Sequence, residues 1–466
     1  MKLIYRTASL ALVAITLQSC IATKNYERPE MVIEENFRTE NLPTDSLSMA
    51  SLPWNEVFTD AKLQGYITYG LDNNMDIRTA IQNIEAAEAY ATQGKMGYFP
   101  TLNIGGNYTH SVNSLNTQMG RIIGRRQRLD QFDITGSLAW EADVWGKITS
   151  QKKALQASYL QSVAAHQAVK TQLISSIATS YYQLLALDEQ KKFTEETIDN
   201  RTKSLNTNIA LKDAGVVTEV AVRQTEAQLI NAKGLLLDIE NNIKLQENIL
   251  CLLLGDMPHA IERTTLAEQN LSIDTKIGVP AQLLANRPDV VAAEFSVMNA
   301  FEMTNVARAS FYPTLRITAS GGLQSVDASK LFDPSSFFAN IVGGLAAPIF
   351  NRGQIRTDYK VSQTNQEKAL INYQKAIYTA SKEVSDALYT YEAMDKKIVL
   401  KEQEAANYLK AVEYSTELLN NGMASYIEVL TANESALNAQ LNIATTKYTK
   451  LAAVVQLYKA LGGGVK

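Results

Sequence analysis

The residues best suited to catalysis or metal binding are few in this sequence and lie far apart. The chain contains three histidines, His110, His166 and His259, and two cysteines, Cys20 and Cys251. The histidines lack the close spacing at which side chains of one segment share a metal ion. Cys251 lies within an apolar stretch, which favours a buried small hydrophobe. We therefore predict no catalytic site, no metal site, no enzyme activity and no cofactor.

Cys20 is the cysteine whose surroundings predict a covalent modification. A basic start and an apolar run at residues 8–17, too short to span a bilayer, lead to Leu17-Gln18-Ser19-Cys20. This order predicts a signal peptide over residues 1–19. The tetrapeptide resembles the lipobox of bacterial lipoproteins, which implies that Cys20 carries a covalent lipid and becomes the mature N-terminus. An ordinary signal peptide with an incidental cysteine is the alternative.

Composition and charge exclude several classes of function. The 466 residues include 46% hydrophobic residues and carry a formal net charge of −4. These values are typical of a folded protein and give no indication of a nucleic-acid partner. After the signal peptide, no stretch has the length and apolarity of a membrane-spanning helix. If the protein crosses a membrane, it must do so as strands.

A glycine turn occurs twice in the chain. In each copy a long helix-forming run stops at a glycine, Gly215 or Gly422, and a hydroxyl residue three places later, Thr218 or Ser425, starts another run. This order predicts the tip of a helical hairpin, because glycine can take the left-handed cap and a hydroxyl can cap the next helix. Other short motifs repeat at similar spacing, so the chain consists of two copies of one unit.

The hydrophobic period changes to two in four shorter segments. Runs that begin at Leu102, Phe132 and Leu315 alternate apolar and polar residues, whereas the run at 337–350 alternates less cleanly. Strands of about ten residues with one apolar face are what a membrane β-barrel needs, although a half-buried soluble sheet gives the same pattern. Four strands are too few to close a membrane barrel, and lipid tolerates no open sheet edge. Several chains must therefore share one barrel.

Long helical runs flank the glycine turns, at about 147–212, 217–254, 353–419 and 425–461. Their apolar residues recur at intervals of seven, which indicates supercoiled packing of long helices. A helix of about 65 residues is on the order of 100 Å long, too long for one compact domain. The pattern predicts an α+β membrane protein with a shared β-barrel, coiled-coil helical hairpins and an internal twofold repeat.

The predicted organisation follows the repeat. An extended, lipid-anchored tether at residues 20–59 precedes the first repeat, and an equatorial linker at 256–280 separates the two repeats. Repeat 1 covers 60–255, with a helix from 60 to about 98, a β-hairpin at about 100–144 and a tip at 213–220. Repeat 2 covers 281–466, with a β-hairpin at about 313–350 and a tip at 420–428.

Two further motifs identify a family. Together with the lipobox and the repeat, Leu283-Leu284-Ala285-Asn286-Arg287-Pro288-Asp289 and Ala307-Arg308-Ala309-Ser310-Phe311-Tyr312-Pro313 resemble the TolC-type outer-membrane factors, above all their lipoprotein branch. The resemblance covers essentially the whole mature chain. It implies a homotrimer with four strands per chain in one outer-membrane barrel, continued by a periplasmic α-helical barrel. It also implies the exit duct of a tripartite efflux pump for drugs or other small compounds, with a periplasmic adaptor and an inner-membrane resistance-nodulation-division (RND) pump as partners.

The resemblance implies roles for the tips. The residues that it assigns to adaptor contact are Gly215, Val216, Thr218, Gly422, Ala424 and Ser425. It places Glu428 at the periplasmic gate, where three copies would form an acidic ring that favours cations. Helix capping at the tips and a solvated acid at position 428 are the alternatives. Thr431 stands where the family has a second acid, and leucines occupy both positions where its tips often carry a basic residue.

Three other groups have weaker functional interpretations. The motif 287–289 is expected to fix the start of a helix through charge and capping. Between two predicted strands lie Arg121, Arg125, Arg126 and Arg128, which we interpret as a solvated loop outside the cell, with lipopolysaccharide binding as the alternative. An interfacial aromatic belt, or core packing, would account for Tyr98, Trp140 and Trp145.

Two other functions remain open from the sequence. The same fold serves type I protein secretion, so the exit duct of such a system is one alternative. A lipid-anchored periplasmic coiled-coil scaffold without a pore is the other, although the alternating strands argue against it.

Overall fold

We describe a computed structural model of the chain over residues 22–29, 52–269 and 287–464. The predicted signal peptide and Cys20 lie outside these residues, as does the part of the predicted linker from 270 to 280. The strands are β1 Thr101–Val112, β2 Arg128–Ala142, β3 Thr314–Ser325 and β4 Phe337–Ala346. The helices are α1 Trp54–Val57, α2 Ala61–Asn73, α3 Met75–Met96, α4 Gln118–Ile123, α5 Lys147–Asp213, α6 Glu219–Leu254, α7 Pro288–Ala309, α8 Gln354–Asn420 and α9 Tyr426–Ala460.

The described residues form two compact units. One unit contains the four strands, the N-terminal segment 22–29 and the parts of the chain within 85–161 and 294–372. The other contains the described parts of 52–84, 162–293 and 373–464. Each unit draws on both copies of the repeat, so neither copy forms a unit by itself.

From α3 and α7 onwards, the strands and long helices of the two copies match in order, as the repeat predicts. α3 and α7 each have 22 residues, and α5 and α8 each have 67. Among these matched segments, the copies differ between the paired strands, where the loop at 113–127 in the first copy is longer than the loop at 326–336 in the second. The internal twofold repeat is therefore confirmed, and its asymmetry lies in the β-hairpins.

The four strands form one antiparallel sheet in the order β1-β2-β3-β4. Its register places apolar and polar rows on opposite faces, because successive side chains of a strand point to opposite sides. One apolar row across the sheet consists of Leu102, Leu138, Ala319 and Ile341. The adjacent row on the other face consists of Asn103, Ser137, Ser320 and Asn340. The alternation predicted for the first three strands therefore gives a two-faced sheet.

The fourth strand shares this arrangement although its alternation is weaker. Leu345 pairs with Leu315, and Phe337 pairs with Leu323, both on the apolar face. Phe338 and Val342 point to the other face and obscure the pattern in the sequence. Large side chains of the apolar face on β1 and β4 are exposed, as lipid contact requires.

Residues 22–29 run along α7 in the same unit as the sheet. The backbone of Lys24 is bound twice by the amide of Asn305, which accepts from the Lys24 N–H at 3.0 Å and donates to its carbonyl at 2.9 Å. Arg28 pairs with Glu294 at 2.6 Å. These contacts hold the chain that follows Cys20 against a helix leading to the sheet.

The long helices bury or half-bury the members of the predicted heptad rows. Buried members of these rows include Val222, Leu229, Ile243 and Leu250 in α6, Ile377, Val384 and Ala405 in α8, and Leu437, Ala444, Leu451 and Tyr458 in α9. Residues seven apart lie on one side of a helix, so the rows form the seams between helices. Within the described residues, no helix combines the length and apolarity needed to cross a membrane.

Two details differ from the predicted N-terminal region. The tether, predicted to be extended, contains the short helix α1. The helix predicted as one run from residue 60 breaks at Asn74, whose side chain accepts hydrogen bonds from the N–H groups of Asp76 and Ile77 at 2.8 and 3.1 Å. An asparagine that caps the next helix in this way competes with continuation of the first.

Asp60 is the buried polar centre of this region. Its carboxylate caps α2 by accepting from the Lys62 N–H at 2.8 Å, and it accepts from the hydroxyl of Tyr181 at 3.0 Å and from that of Thr264. Gln269 donates a further bond at 2.8 Å. Burial opposes ionisation of this carboxyl, but the hydrogen bonds outweigh burial and hold the pKa of Asp60 below its ordinary value.

Candidate functional site

The first tip is closed by two hydrogen bonds around Gly215. α5 ends at Asp213, and Gly215 follows with φ +75°. The Gly215 N–H donates to the carbonyl of Lys212 at 2.8 Å, and the Val216 N–H donates to that of Leu211 at 2.8 Å. This pair of bonds is the Schellman motif, which satisfies the last carbonyls of a helix and reverses the chain.

The second tip has the same geometry. α8 ends at Asn420, and Gly422 has φ +70°. The Gly422 N–H donates to Leu419 at 3.0 Å, and the Met423 N–H donates to Leu418 at 2.8 Å. Leu211 and Leu418 stand where the family often has a basic residue. Their backbone carbonyls accept one hydrogen bond of each turn. The sequence correctly predicts a stop at both glycines.

The helices that follow the turns start differently. Thr218 precedes α6 and makes no capping bond through its side chain. At the start of α9, the Glu428 carboxylate accepts from the Ser425 N–H at 3.4 Å and from the Ser425 hydroxyl at 3.1 Å. Glu428 therefore helps to cap its own helix while its side chain stays exposed.

Both tips expose apolar side chains at the same positions in the sequence relative to the glycine. One place after it stand Val216, 68% exposed, and Met423, 76% exposed. Five places after it stand Val220, 62% exposed, and Ile427, 53% exposed. Of these four residues, only Val216 was predicted from the sequence as a contact residue. The other three could have been found from their equal offsets in the two copies.

Charged residues distinguish the first tip from the second. Glu219 pairs with Lys212 at 3.3 Å and with Arg223 at 2.9 Å, and Arg223 also pairs with Glu226 at 2.9 Å. The hydrogen bond from Lys212 and the attraction of Arg223 lower the pKa of Glu219. At the second tip, the described residues offer no ion pair to Glu428. Each acid of the first tip thus has a basic partner, whereas Glu428 at the second tip has none among the described residues.

A buried polar cluster joins the two hairpins next to the tips. Thr225 in α6 is hydrogen-bonded to the hydroxyl of Tyr426 in α9 at 2.6 Å. The Asn208 amide donates to Thr225 at 2.7 Å, and Arg201 donates to the carbonyl of Gln228 at 2.6 Å. Burial lowers the pKa of Arg201. No spacing in the sequence indicated this cluster, since its members come from three helices.

The other predicted residues have structural partners. Arg287 is buried and pairs with Asp289 at 2.6 Å and Glu383 at 2.7 Å, and it donates to the carbonyl of Ala460 at 3.1 Å. It therefore joins three helices in addition to fixing the start of α7.

The predicted aromatic residues lie where strands meet helices. Trp140 donates to the carbonyl of Tyr98 at 2.8 Å. Trp145 donates to that of Pro313 at 2.7 Å and stacks on Tyr312. These bonds satisfy the indole N–H groups while the rings remain near the ends of the apolar face, as in an interfacial belt.

Cys251 is buried, and its sulfur lies 3.5 Å from Nδ1 of His259. The backbone N–H of His259 also donates to this sulfur at 3.4 Å. Across the residues that the structure describes, no group of three or more His, Cys, Asp and Glu side chains is arranged to hold a metal ion.

Comparison with known proteins agrees with this architecture. The model of the family described as "Outer membrane efflux protein" matches residues 69–256 and 279–463. The cation efflux system protein CusC of Escherichia coli O6:H1 is 27% identical over 97% of both chains. The solvent efflux pump outer membrane protein SrpC of Pseudomonas putida is 29% identical over 97% of this chain and 96% of its own.

A solved structure extends the agreement to the fold. A crystal structure of CusC aligns with a TM-score of 0.82 and 26% identity, over 95% of this chain and 99% of that one. The fold is that of trimeric outer-membrane channels, in which chains with four strands each close one barrel. Since the family model matches most of its length, the chain belongs to the outer membrane efflux protein family.

Proposed function

We propose that this protein is the passive exit duct of a tripartite efflux system. In this proposal an inner-membrane pump supplies the energy, and a periplasmic adaptor joins the pump to the duct. The observation that carries the proposal is the matched pair of tips, which end in the same glycine turn and expose apolar side chains at the same positions. Two equivalent patches per chain suit a partner that binds both hairpins in the same way.

The proposed adaptor-contact surface comprises the six residues that the family resemblance implies and three exposed apolar residues at equivalent offsets in the two tips. Its members are Gly215, Val216, Thr218, Val220, Gly422, Met423, Ala424, Ser425 and Ile427. Exposed apolar side chains at the end of a hairpin lose contact with water when a partner covers them, which favours association. The Schellman turns leave few backbone groups free, so side chains would supply most of the recognition.

We propose that Glu428 acts at the periplasmic gate. Its carboxylate is exposed in the first turn of α9, and three copies in a trimer would bring like charges together. Such a ring attracts cations and resists closure without them. The bonds to Ser425 link this charge to the capping of α9, so a movement of the second tip would also move the gate.

The partners and cargo are proposed by analogy. Both curated relatives are named as efflux proteins, one for cations and one for solvents. We therefore favour a pump of the RND class over a protein-secretion system. Because the described residues contain no metal-ligand cluster, drugs or other small compounds are the proposed cargo, and selection is left to the pump.

We propose that Cys20 carries a lipid that anchors the chain in the outer membrane. The described residues begin at Ala22, two positions after Cys20. Lys24 binds Asn305 and Arg28 binds Glu294, which holds this segment beside α7. Thr23 lies next to Gly146, at the end of β2 where the chain enters α5. A lipid at position 20 would thus lie close to the membrane boundary. Cys20→Ala should weaken anchoring and leave the trimer intact.

The experiment is complementation of efflux. The full-length protein is expressed with an RND pump and a periplasmic adaptor from its own organism, in a Gram-negative host that lacks its own outer-membrane channel, and export of a fluorescent substrate is measured. The native chain should restore export, Val216→Glu with Met423→Glu should abolish it, and Val216→Leu with Met423→Leu should retain it. Trimers that reach the outer membrane but restore no export would contradict the proposal.

A further inference from the structure

The loop between β1 and β2 carries a concentration of positive charge that the duct function does not use. The exposed arginines are Arg121, Arg125, Arg126 and Arg128, and no acidic residue lies between positions 113 and 129. The corresponding loop of the second copy, 326–336, contains Asp327, Lys330 and Asp333 and has a negative balance. The charge therefore belongs to the longer loop and is not a property of the repeat.

This loop has an ordered structure of its own. Asn113 donates through its N–H to the carbonyl of Gln127 at 3.0 Å, which extends the strand pairing to the base of the loop. Thr117 caps α4 by accepting from the Gly120 N–H at 3.1 Å. Gly120 is buried, and a side chain there would meet the backbone of Ser114. The arginines are thus displayed on a compact support.

The nearest acid is already engaged. Asp130, two residues after Arg128, accepts from the hydroxyl of Tyr108 at 2.8 Å and lies 2.7 Å from Nδ1 of His110. Asp133 points to the opposite face and binds Asn107 at 3.0 Å. Within the described chain, none of the four arginines has an acidic side chain at ion-pair distance. Their charges are available to an external anion.

The position of Arg128 indicates which anion. Arg128 is separated from Phe132 and Ile134 by even numbers of residues in β2, so it lies on the same, apolar face of the sheet. It follows the last apolar residue of β2 on that face, Phe132, towards the loop. At about 3.3 Å per residue, it lies roughly 13 Å along the strand from Phe132. Because lipid headgroups follow where the hydrocarbon ends, Arg128 lies on the headgroup side of the apolar residues of β2. Met119 and Ile122 in α4 are exposed near Arg121 in sequence, so the loop displays apolar side chains next to its positive charge.

We propose that the loop 113–127, together with Arg128, binds the phosphate groups of the glycolipid that forms the outer leaflet of the outer membrane. The loop joins β1 to β2 at the strand ends opposite their junctions with α3 and α5, which the family resemblance would put on the periplasmic side, so the proposal places the loop outside the cell. Guanidinium groups bind phosphate through paired, charge-assisted hydrogen bonds, and clusters of basic residues next to apolar surface are typical of anionic lipid recognition. Binding at this surface would fix the position of the channel in the outer leaflet and would not require the adaptor.

The test uses the full-length trimer in mild detergent, titrated with bisphosphorylated lipid A and observed by native mass spectrometry. The variant Arg125→Gln/Arg126→Gln should bind lipid A at least about tenfold more weakly, because each basic residue near an anionic lipid contributes severalfold in affinity. The variant Arg125→Lys/Arg126→Lys should retain most of the binding. The matched control is Lys396→Gln/Lys397→Gln, an adjacent exposed basic pair on α8, which should change the affinity less than about twofold.

Two competitors identify the source of the phosphate. Dephosphorylated lipid A should bind at least about tenfold more weakly than the bisphosphorylated form, and inorganic phosphate at the same concentration should not displace it. Equal binding of dephosphorylated lipid, displacement by inorganic phosphate, or equal losses in the arginine and lysine variants would each overturn the proposal.

Discussion

Thr225 and Tyr426, which are 201 positions apart in the chain, are joined by a hydrogen bond of 2.6 Å between their hydroxyl groups. The bond connects α6 of the first hairpin to α9 of the second, within a cluster that includes the buried Asn208 and Arg201. A buried hydroxyl that loses its partner is costly, so this cluster resists separation of the hairpins beside the tips.

Removal of the Tyr426 hydroxyl should loosen the second hairpin. Tyr426→Phe keeps the ring but leaves Thr225 with one bond fewer, at a cost of about 1 kcal/mol. Hydrogen exchange of the backbone at 422–430 should therefore accelerate by roughly fivefold. Tyr414→Phe, at an exposed position on α8, is the control and should leave exchange at the tip unchanged. Equal exchange in the native protein and Tyr426→Phe would show that the bond contributes nothing there.

The cluster also predicts a measurable coupling between the two hydroxyls. In a double-mutant cycle, Thr225→Val and Tyr426→Phe should each destabilise the tip, and the pair together should cost less than the sum of the two. Strictly additive effects would mean that the two side chains act independently.

A side chain at the second glycine should strain the turn without any clash. Gly422 has φ +70°, and a Cβ there would meet no atom within 4 Å. Gly422→Ala should therefore cost about 1 kcal/mol through the backbone alone. Gly234→Ala in the interior of α6, where the space is also open, is a matched control and should stabilise by about 0.5–1 kcal/mol. Thermal unfolding of both trimers measures the difference, and a stabilising Gly422→Ala would refute the turn geometry.

Neutralising Glu428 should change ion selectivity while preserving the fold. Glutamine can still accept from the Ser425 N–H, so Glu428→Gln keeps the cap and removes the charge. In planar bilayers under a salt gradient, the reversal potential should shift towards lower cation preference. Glu413→Gln, an exposed acid on α8, supplies the comparison and should leave the potential in place. An unaltered potential in Glu428→Gln would remove this residue from the gate.

Asp60 predicts a dependence of stability on pH. The pKa of Asp60 is lowered in the folded state, so its contribution is present above the unfolded value near 4 and is lost as pH falls through the folded value. At pH 7, Asp60→Asn should lower the free energy of unfolding by about 2 kcal/mol, because bonds to a charged acceptor are lost. The difference between native and variant melting temperatures should shrink below pH 4.

The exposed Asp72 allows a matched comparison. Asp72→Asn should alter the melting temperature little, because an exposed carboxylate makes only a small contribution to stability. A gap between native protein and Asp60→Asn that widens in acid would contradict the pKa direction.

The elements that depend on local periodicity could be predicted from the sequence. The members of the heptad rows of α6, α8 and α9 are buried or half-buried as expected, since residues seven apart share one side of a helix. The helix ends at Gly215 and Gly422 were also predicted, because a glycine cap depends only on neighbouring residues of the chain. β4 was less clear, since Phe338 and Val342 place apolar side chains on both faces and only its pairing with β3 shows which face is shared.

The contacts between distant segments could not be read from the sequence. Arg287 was expected at a helix start, but its bonds to Glu383 and the Ala460 carbonyl require α7, α8 and α9 to meet. The bond between Thr225 and Tyr426 likewise depends on two hairpins packing together. Neither the Arg287 contacts nor the Thr225–Tyr426 bond produces a periodic pattern in the sequence.

The most direct test of the account is the mass and rotational symmetry of the protein extracted from the outer membrane in mild detergent. Light scattering gives the number of chains, and particle averaging in the electron microscope gives the symmetry. The account predicts a particle of three chains with threefold symmetry, because four strands per chain close a shared barrel. A monomer that is stable without detergent would contradict it, because the exposed apolar face of the sheet would then have no lipid to cover it.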